Sequence, residues 1–132
     1  MVDPIPVIAD TSVFVGYEGK RFAEGGLDNF LIAISTVTLG ELRLGVLSAA
    51  DPRAMSHRLS TFQFAQAFSA IPVDEAVSDA WSELIADIRR SGRKKMPIND
   101  SWIAATAKAH DVAVLTRVAD FDDLPGVSVV KI

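Results

Sequence analysis

The sequence predicts an α/β fold: three layers, α/β/α, around a mostly parallel five-stranded sheet, with residues 1–132 as one domain. Three observations carry this expectation. Five short apolar runs rich in Val, Ile and Ala read as strands buried on both faces, and segments with helical spacing separate them. No linker, low-complexity stretch or internal repeat divides the chain. Its 132 residues, 49% hydrophobic and 23% charged, suit a domain that hides roughly two thirds of its unfolded surface, so no disulfide or structural metal is needed.

Pro6-Val7-Ile8-Ala9 is the first strand, running into a polar loop at Asp10-Thr11-Ser12. Gly16, Gly19, Gly25 and Gly26 punctuate the next stretch and leave room for a short helix between them. Leu31-Ile32-Ala33-Ile34-Ser35 is the second strand. Thr38-Leu39-Gly40-Glu41 opens a helix reaching about Ala49, and Thr38 and Glu41 have the spacing of a capping box. Asp51-Pro52 starts the next helix: Asp accepts hydrogen bonds from orphan amides, and Pro fits the first turn. That helix carries Met55, Leu59, Phe62, Phe64, Ala65 and Phe68, a set wider than one stripe, which suits a core helix or partial burial against a partner subunit.

Ala70-Ile71-Pro72-Val73 is the third strand. Asp74 caps a helix whose apolar positions Val77, Trp81, Leu84, Ile85 and Ile88 show the clearest helical period in the chain. Arg89, Arg90, Arg93, Lys94 and Lys95 follow, broken by Gly92. Asp100 opens a helix ending near His110, and Trp81 and Trp102 read as packing residues. Val112-Ala113-Val114-Leu115 and Val127-Ser128-Val129-Val130 are the last two strands.

Composition excludes several chemistries. There is no cysteine, so thiol catalysis, zinc fingers and iron–sulfur clusters are out. The two histidines, His57 and His110, lie far apart and match no paired-His zinc motif. With 13 basic and 17 acidic residues the net charge is −4, opposite to that of most nucleic-acid binders. A polyanionic partner must then be met by a local basic patch, by metal ions, or by both. No apolar run approaches a membrane span, and no basic-then-apolar leader opens the chain, so the expected compartment is the cytoplasm.

Sites in parallel sheets lie just beyond the carboxyl ends of the strands. Sorting the acids by that rule singles out Asp10 after strand one, Glu41 in the first turn of the helix after strand two, Asp100 at the start of the helix before strand four, and Asp120 in the loop after it. Each has a purely structural counterpart: a turn residue, a capping-box partner, a dipole charge and a solvated loop charge, respectively. Four carboxylates meeting at one rim would repel one another unless a cation offset them. A hard divalent ion does so, and it activates water for in-line attack on a phosphodiester.

Four segments, with their neighbours, resemble the PIN-domain ribonucleases, and more narrowly the VapC-type toxins of type II toxin–antitoxin pairs. They are Ile8-Ala9-Asp10-Thr11-Ser12-Val13-Phe14, Ser35-Thr36-Val37-Thr38-Leu39-Gly40-Glu41-Leu42, Asn99-Asp100-Ser101-Trp102-Ile103-Ala104-Ala105, and Leu115-Thr116-Arg117 with Asp120-Phe121. The resemblance lies in their order across nearly the whole chain. It implies that Asp10, Glu41 and Asp100 hold Mg²⁺ or Mn²⁺, with Asp120 as a fourth catalytic acid and Ser12 and Thr116 as supporting hydroxyls. It also implies RNA products with 5′-phosphate and 3′-hydroxyl ends, a homodimer, and a small VapB-type antitoxin that blocks the site. The last segment departs from the family pattern: Thr116-Arg117-Val118-Ala119-Asp120-Phe121 is one residue shorter and lacks the usual Asn or Asp.

Arg93, Lys94 and Lys95, with Arg117 beside the acids, are candidates for RNA phosphate contact; the alternative is a solvated helix end where cations suit the dipole. Two further functions remain open on the residues alone. One is a degenerate module that binds an antitoxin-like protein and RNA without cutting it. The other is a receiver or phosphatase domain using Asp10 as nucleophile, against which stand the missing second Asp after Thr11 and the lack of a well-placed Lys near strand five. Metal-dependent RNA cleavage separates the first from the nuclease, and phosphodonor labelling addresses the second.

Overall fold

The structure, a computed structural model, describes residues 3–19 and 25–132. Among them β1 (Ile5–Ala9), β2 (Phe30–Ser35), β3 (Ser69–Ile71), β4 (Ala113–Thr116) and β5 (Val129–Lys131) form one sheet in the order β3-β2-β1-β4-β5. Every neighbouring pair is parallel. The connections are helical: α1 (Thr11–Glu18), α2 (Thr36–Leu47), α3 (Pro52–Ala65), α4 (Glu75–Ser91) and α5 (Ile98–Ala109), with a single 3-10 turn at Ala119–Phe121. No helix among the described residues is long and apolar enough to cross a membrane.

The alternation of side chains along the strands divides the core in two. Val7, Ala9 and Leu115 pack with Val13, Phe14, Ile34, Leu42 and Ala65, beneath α1, α2 and α3. Ile8 and Val114 face the other way, onto Leu84, Ile88, Ile103, Ala104, Ala107 and Phe121, beneath α4 and α5. This is the expected three-layer α/β/α arrangement, and the strands are buried because helices cover both faces. Trp81 and Trp102 pack as expected, their rings stacked between α4 and α5 with centroids 4.5 Å apart and planes 9° from parallel. Asp51 and Asp74 cap as expected, accepting from the amides of Ala54 at 2.8 Å and Val77 at 3.0 Å.

Several boundaries differ from the sequence reading, each for a local reason. The loop expected at Asp10-Thr11-Ser12 is absent: Asp10 is the N-cap of α1, which begins at once and buries Val13, Phe14 and Gly16. Aromatic packing holds this short helix down, with Phe14 edge-on to Phe64 and Phe68 at centroid distances of 6.1 and 5.8 Å. The stretch 20–24, within the punctuated region, lies outside the described residues. Helix α2 starts at Thr36 rather than Thr38, because the Ser35 hydroxyl accepts from the Val37 amide at 3.1 Å and is the cap. The expected capping box of Thr38 and Glu41 does not form, and Glu41 sits in the second turn, free for other partners.

The third strand stops at Ile71, before Pro72, which has no amide for the ladder. Helix α5 begins at Ile98, so Asp100 stands inside its first turn rather than opening it. The fourth and fifth strands run one or two residues later than expected, to Thr116 and Lys131. Asp120 rides on the 3-10 turn, not in an irregular loop. Helix α4 ends at Gly92, whose φ of +71° is a left-handed conformation that glycine adopts without a Cβ clash.

Candidate active site

The strand order reverses direction at β1. The chain goes from β1 to β2 on one side, while β4 pairs on the other side, so β1 and β4 flank the topological switch point. In parallel sheets the connections part just beyond the carboxyl ends of such strands, which is where ligand sites lie. Asp10 follows the last residue of β1 there, and Thr116 is the last residue of β4.

Asp10 is 3% exposed, a carboxylate placed almost out of reach of water. Burial pushes its pKa above the ordinary value, and the charge of Glu41 adds to this; the hydroxyls of Ser12 and Thr116 and the Val13 amide act in the opposite direction. Ser12 Oγ donates to Asp10 Oδ1 at 2.6 Å, and in turn accepts from the Arg117 amide at 3.0 Å. Thr116 Oγ1 lies 3.2 Å from Ser12 Oγ and accepts from the Val118 amide at 3.2 Å. A hydroxyl chain of Ser12 and Thr116, anchored on backbone amides, thus holds the Asp10 side chain.

Glu41 has a support that the sequence reading missed. Thr11 Oγ1 donates to Glu41 Oε1 at 2.6 Å, a short bond to a carboxylate, and the buried Thr38 hydroxyl lies 3.4 Å from the same oxygen of Thr11. Thr11 and Glu41 are 30 residues apart, so spacing in the sequence carries no sign of the pair.

Asp100 records the meeting of the acids most directly. Its pKa is raised from 3.8 to about 7, first by burial, then by a hydrogen bond with the Asp120 carboxyl, and then by the charges of Asp120, Asp10 and Glu41. The other three expected carboxylates thus all act on Asp100, and Glu41 acts on Asp10, although they come from beyond the ends of β1 and β4 and from α2 and α5. The start of α5 is itself fixed: Trp81 Nε1 donates to Ser101 Oγ at 2.9 Å, and Ser101 Oγ donates to the Ile98 carbonyl at 2.5 Å.

The donors are all oxygen, with no thiol and no imidazole among them, which suits a hard divalent cation. Among the described residues no three acidic or histidine side chains form a ready-made metal cage. Mg²⁺ does not require one, since it keeps several waters and takes one or two protein carboxylates beside a substrate phosphate. The residues present fit such an ion in chemistry and in the repulsion that Asp120, Asp10 and Glu41 exert on Asp100.

The basic candidates divide by position. Lys94 and Lys95 are exposed and, with Arg93, Met96, Pro97, Ala119, Asp122 and Asp123, line an open cavity of about 660 Å³ that reaches Asp120 but not Asp10, Glu41 or Asp100. The Arg93 guanidinium donates to the carbonyls of Lys94, Asp120 and Asp122. Arg117 is half-buried and lies across α1 at Gly16, where an added Cβ would come within 2.6 Å of Arg117 Cδ. His57 and His110 are exposed and outside the site.

The PIN-domain family model matches residues 7–127. The chain is 50% identical over 125 residues to Ribonuclease VapC4 of Mycobacterium tuberculosis, covering 95% of each chain, and 37% identical over 129 residues to Ribonuclease VapC5 of the same organism, covering 98% of this chain and 95% of that protein. Among solved structures, a member of the VapBC family of toxin–antitoxin systems, VapBC-5 from Mycobacterium tuberculosis, matches with a TM-score of 0.85 at 33% identity over 98% of this chain and 100% of the other. VapBC2 from Rickettsia felis, bound to a DNA fragment from its promoter, matches with a TM-score of 0.84 over 97% and 99% of the two chains, and its 21% identity speaks for the fold alone. The chain belongs to the PIN-domain family and, within it, to the VapC ribonucleases.

Proposed function

We propose that this VapC-type ribonuclease toxin hydrolyses RNA phosphodiester bonds with a divalent cation, Mg²⁺ or Mn²⁺, held by Asp10, Glu41 and Asp100. The observation that carries this reading is the raised pKa of Asp100, to which Asp120, Asp10 and Glu41 all contribute. Carboxylates that raise the pKa of a neighbour are a cost to the fold in their charged form, and a cation offsets it.

When bound, the cation supplies Lewis-acid activation of water and offsets negative charge at the scissile phosphate. The protein's part is to hold the oxygens still. Ser12 and Thr116 set the Asp10 carboxylate, Thr11 sets Glu41, and the Trp81–Ser101–Ile98 hydrogen bonds hold the first turn of α5, which carries Asp100. Asp120 completes the set as the acid that, after burial, raises the Asp100 pKa most. Lys94 and Lys95, exposed at the cavity that Asp120 lines, and Arg117, next to Thr116, supply positive charge suited to flanking RNA phosphates, local compensation for a net charge of −4.

A VapB-type antitoxin is the proposed partner, since the structural relatives are toxin–antitoxin complexes. Exposed apolar residues support a covered face and a homodimer: Leu44 and Leu47 on α2 are 64% and 66% exposed, and Met55 and Leu59 on α3 each 42%. The cytoplasm, where RNA is available, is the proposed compartment.

The test is cleavage of RNA by the wild type and by Asp10→Asn and Asp100→Asn, with Mg²⁺ or Mn²⁺ and with chelator. The reading requires cleavage that needs the cation and is lost in both variants. Full activity in either folded variant removes that residue from the mechanism, and full activity in chelator removes the cation.

A further inference from the structure

The 3-10 turn Ala119–Phe121 carries Asp120, the acid that acts on Asp100, and a three-residue turn has little internal bonding to hold it in place. Three tethers from outside fix it. Phe121 is fully buried in the core beneath α4 and α5. Lys131 of β5 pairs with Asp122 at 2.7 Å. Arg93, from the connector after α4, reaches across 27 positions: its Nη2 donates to the Asp120 carbonyl at 3.0 Å and to the Asp122 carbonyl at 2.9 Å.

The third tether touches the backbone of the acid itself. We propose that Arg93 is a positioning residue for the acidic site: its guanidinium, by holding the carbonyls of Asp120 and Asp122, sets the turn whose Asp120 carboxyl meets Asp100. The inference rests on the reading of the acids given above. The chemistry favours arginine. One planar guanidinium presents several donors in a fixed fork, so a single side chain fastens two carbonyls and sets both their spacing and their orientation. Arg93 Nη1 also donates to the Lys94 carbonyl at 3.1 Å, which ties the connector to the same fork. Three of its donor contacts are thereby spent on main-chain oxygens, whereas neighbouring Lys94 and Lys95 are exposed at the same cavity. The two kinds of cation thus divide the work: Arg93 shapes the wall, and the lysines face solvent.

The test is a double-mutant cycle in RNA cleavage kinetics with Arg93→Ala, Asp120→Asn and the pair, together with far-UV circular dichroism of each. Arg93→Ala is expected to lower kcat by about tenfold or more, the usual effect of removing a group that orients a metal-site carboxylate. KM and the salt dependence of cleavage should stay near wild type. The double variant should be no slower than Asp120→Asn alone, because Arg93 acts through Asp120. If Arg93→Ala does not fold, Arg93→Lys carries the same cycle, since it keeps the charge and loses the fork.

Three results overturn the proposal. A rise in KM with a salt slope reduced by about 1 makes Arg93 a phosphate contact. Additive losses in the double variant give it a role independent of Asp120. Wild-type rates in Arg93→Ala beside a slow Asp120→Asn remove it altogether. A wild-type rate in Asp120→Asn instead overturns the acid-site reading itself, a comparison in which Arg93 plays no part.

Discussion

Replacing Asp100 by Asn should stabilise the metal-free protein while abolishing its activity. The Asp100 carboxyl has a pKa of about 7 in the folded chain against an ordinary 3.8. Below pH 3.8 it is protonated in both the folded and unfolded states and contributes no difference. Between pH 3.8 and about 7 the folded chain keeps a proton that the unfolded chain has released, so stability falls as pH rises, and above pH 7 the penalty is complete. At 1.36 kcal/mol per pH unit the gap corresponds to at most about 4 kcal/mol. Asp100 is half-buried, and solvent screening brings the expected penalty to about 1–2 kcal/mol. For a chain of this size that is about 4–8 °C in Tm. Asn keeps the shape, carries no charge, and donates to Asp120 through its amide.

Thermal melts in chelator from pH 4 to 8.5 should therefore show Asp100→Asn level with wild type at the acid end and pulling ahead toward neutrality. Millimolar Mg²⁺ should reverse the order at neutral pH. Binding only to the folded wild type stabilises it by about 2.7 kcal/mol at a concentration one hundred times the Kd, and the variant lacks a ligand. If Asp100→Asn were less stable than wild type in chelator at pH 8, or if the difference did not change with pH, the claim that these acids in their charged form are a cost to the fold would be wrong.

Other outcomes follow from the same geometry. Asp10→Asn and Glu41→Gln should each lower cleavage by about 100-fold or more while remaining folded, as read by RNA cleavage and circular dichroism. Thr11→Val, which removes the 2.6 Å bond to Glu41, should cost about 10- to 100-fold in activity or metal affinity, measured by calorimetry with Mn²⁺. Trp81→Phe, which removes the donor to Ser101, should lower stability in urea by about 1 kcal/mol. Lys94→Ala and Lys95→Ala should each weaken RNA binding and reduce its salt slope by about 1, with kcat little changed.

The sheet was legible because a parallel strand covered on both faces must be a short apolar run, and Val7-Ile8-Ala9 and Val114-Leu115 are such runs. The helix starts were less so. Asp10-Thr11-Ser12 looks like a turn because residues that cap helices also make turns, and only the burial of Val13 and Phe14 decides between them. Thr38 and Glu41 satisfy the capping-box pattern, but Ser35 takes the cap first, and no local rule ranks the two hydroxyls.

The four acids could be gathered from sequence because each lies near a strand end or helix start that the topology brings to one rim. Their supports could not all be found. Ser12 adjoins Asp10 in the chain, whereas Thr11 with Glu41 and Arg93 with Asp120 are partnerships across 30 and 27 positions that exist only once the sheet has formed. Arg93 also looked like its neighbours Lys94 and Lys95 in a run of positive charge. The structure separates them by what the side chain touches.

The most direct test of the account is a crystal structure of the chain soaked in Mn²⁺, read by anomalous scattering. The account predicts a peak between Asp10, Glu41 and Asp100, with carboxylate oxygens about 2.1 Å from the ion and water completing the shell. Density at that position from ordered water alone, with each carboxylate bonded only to its own hydroxyl and amide neighbours, would contradict it.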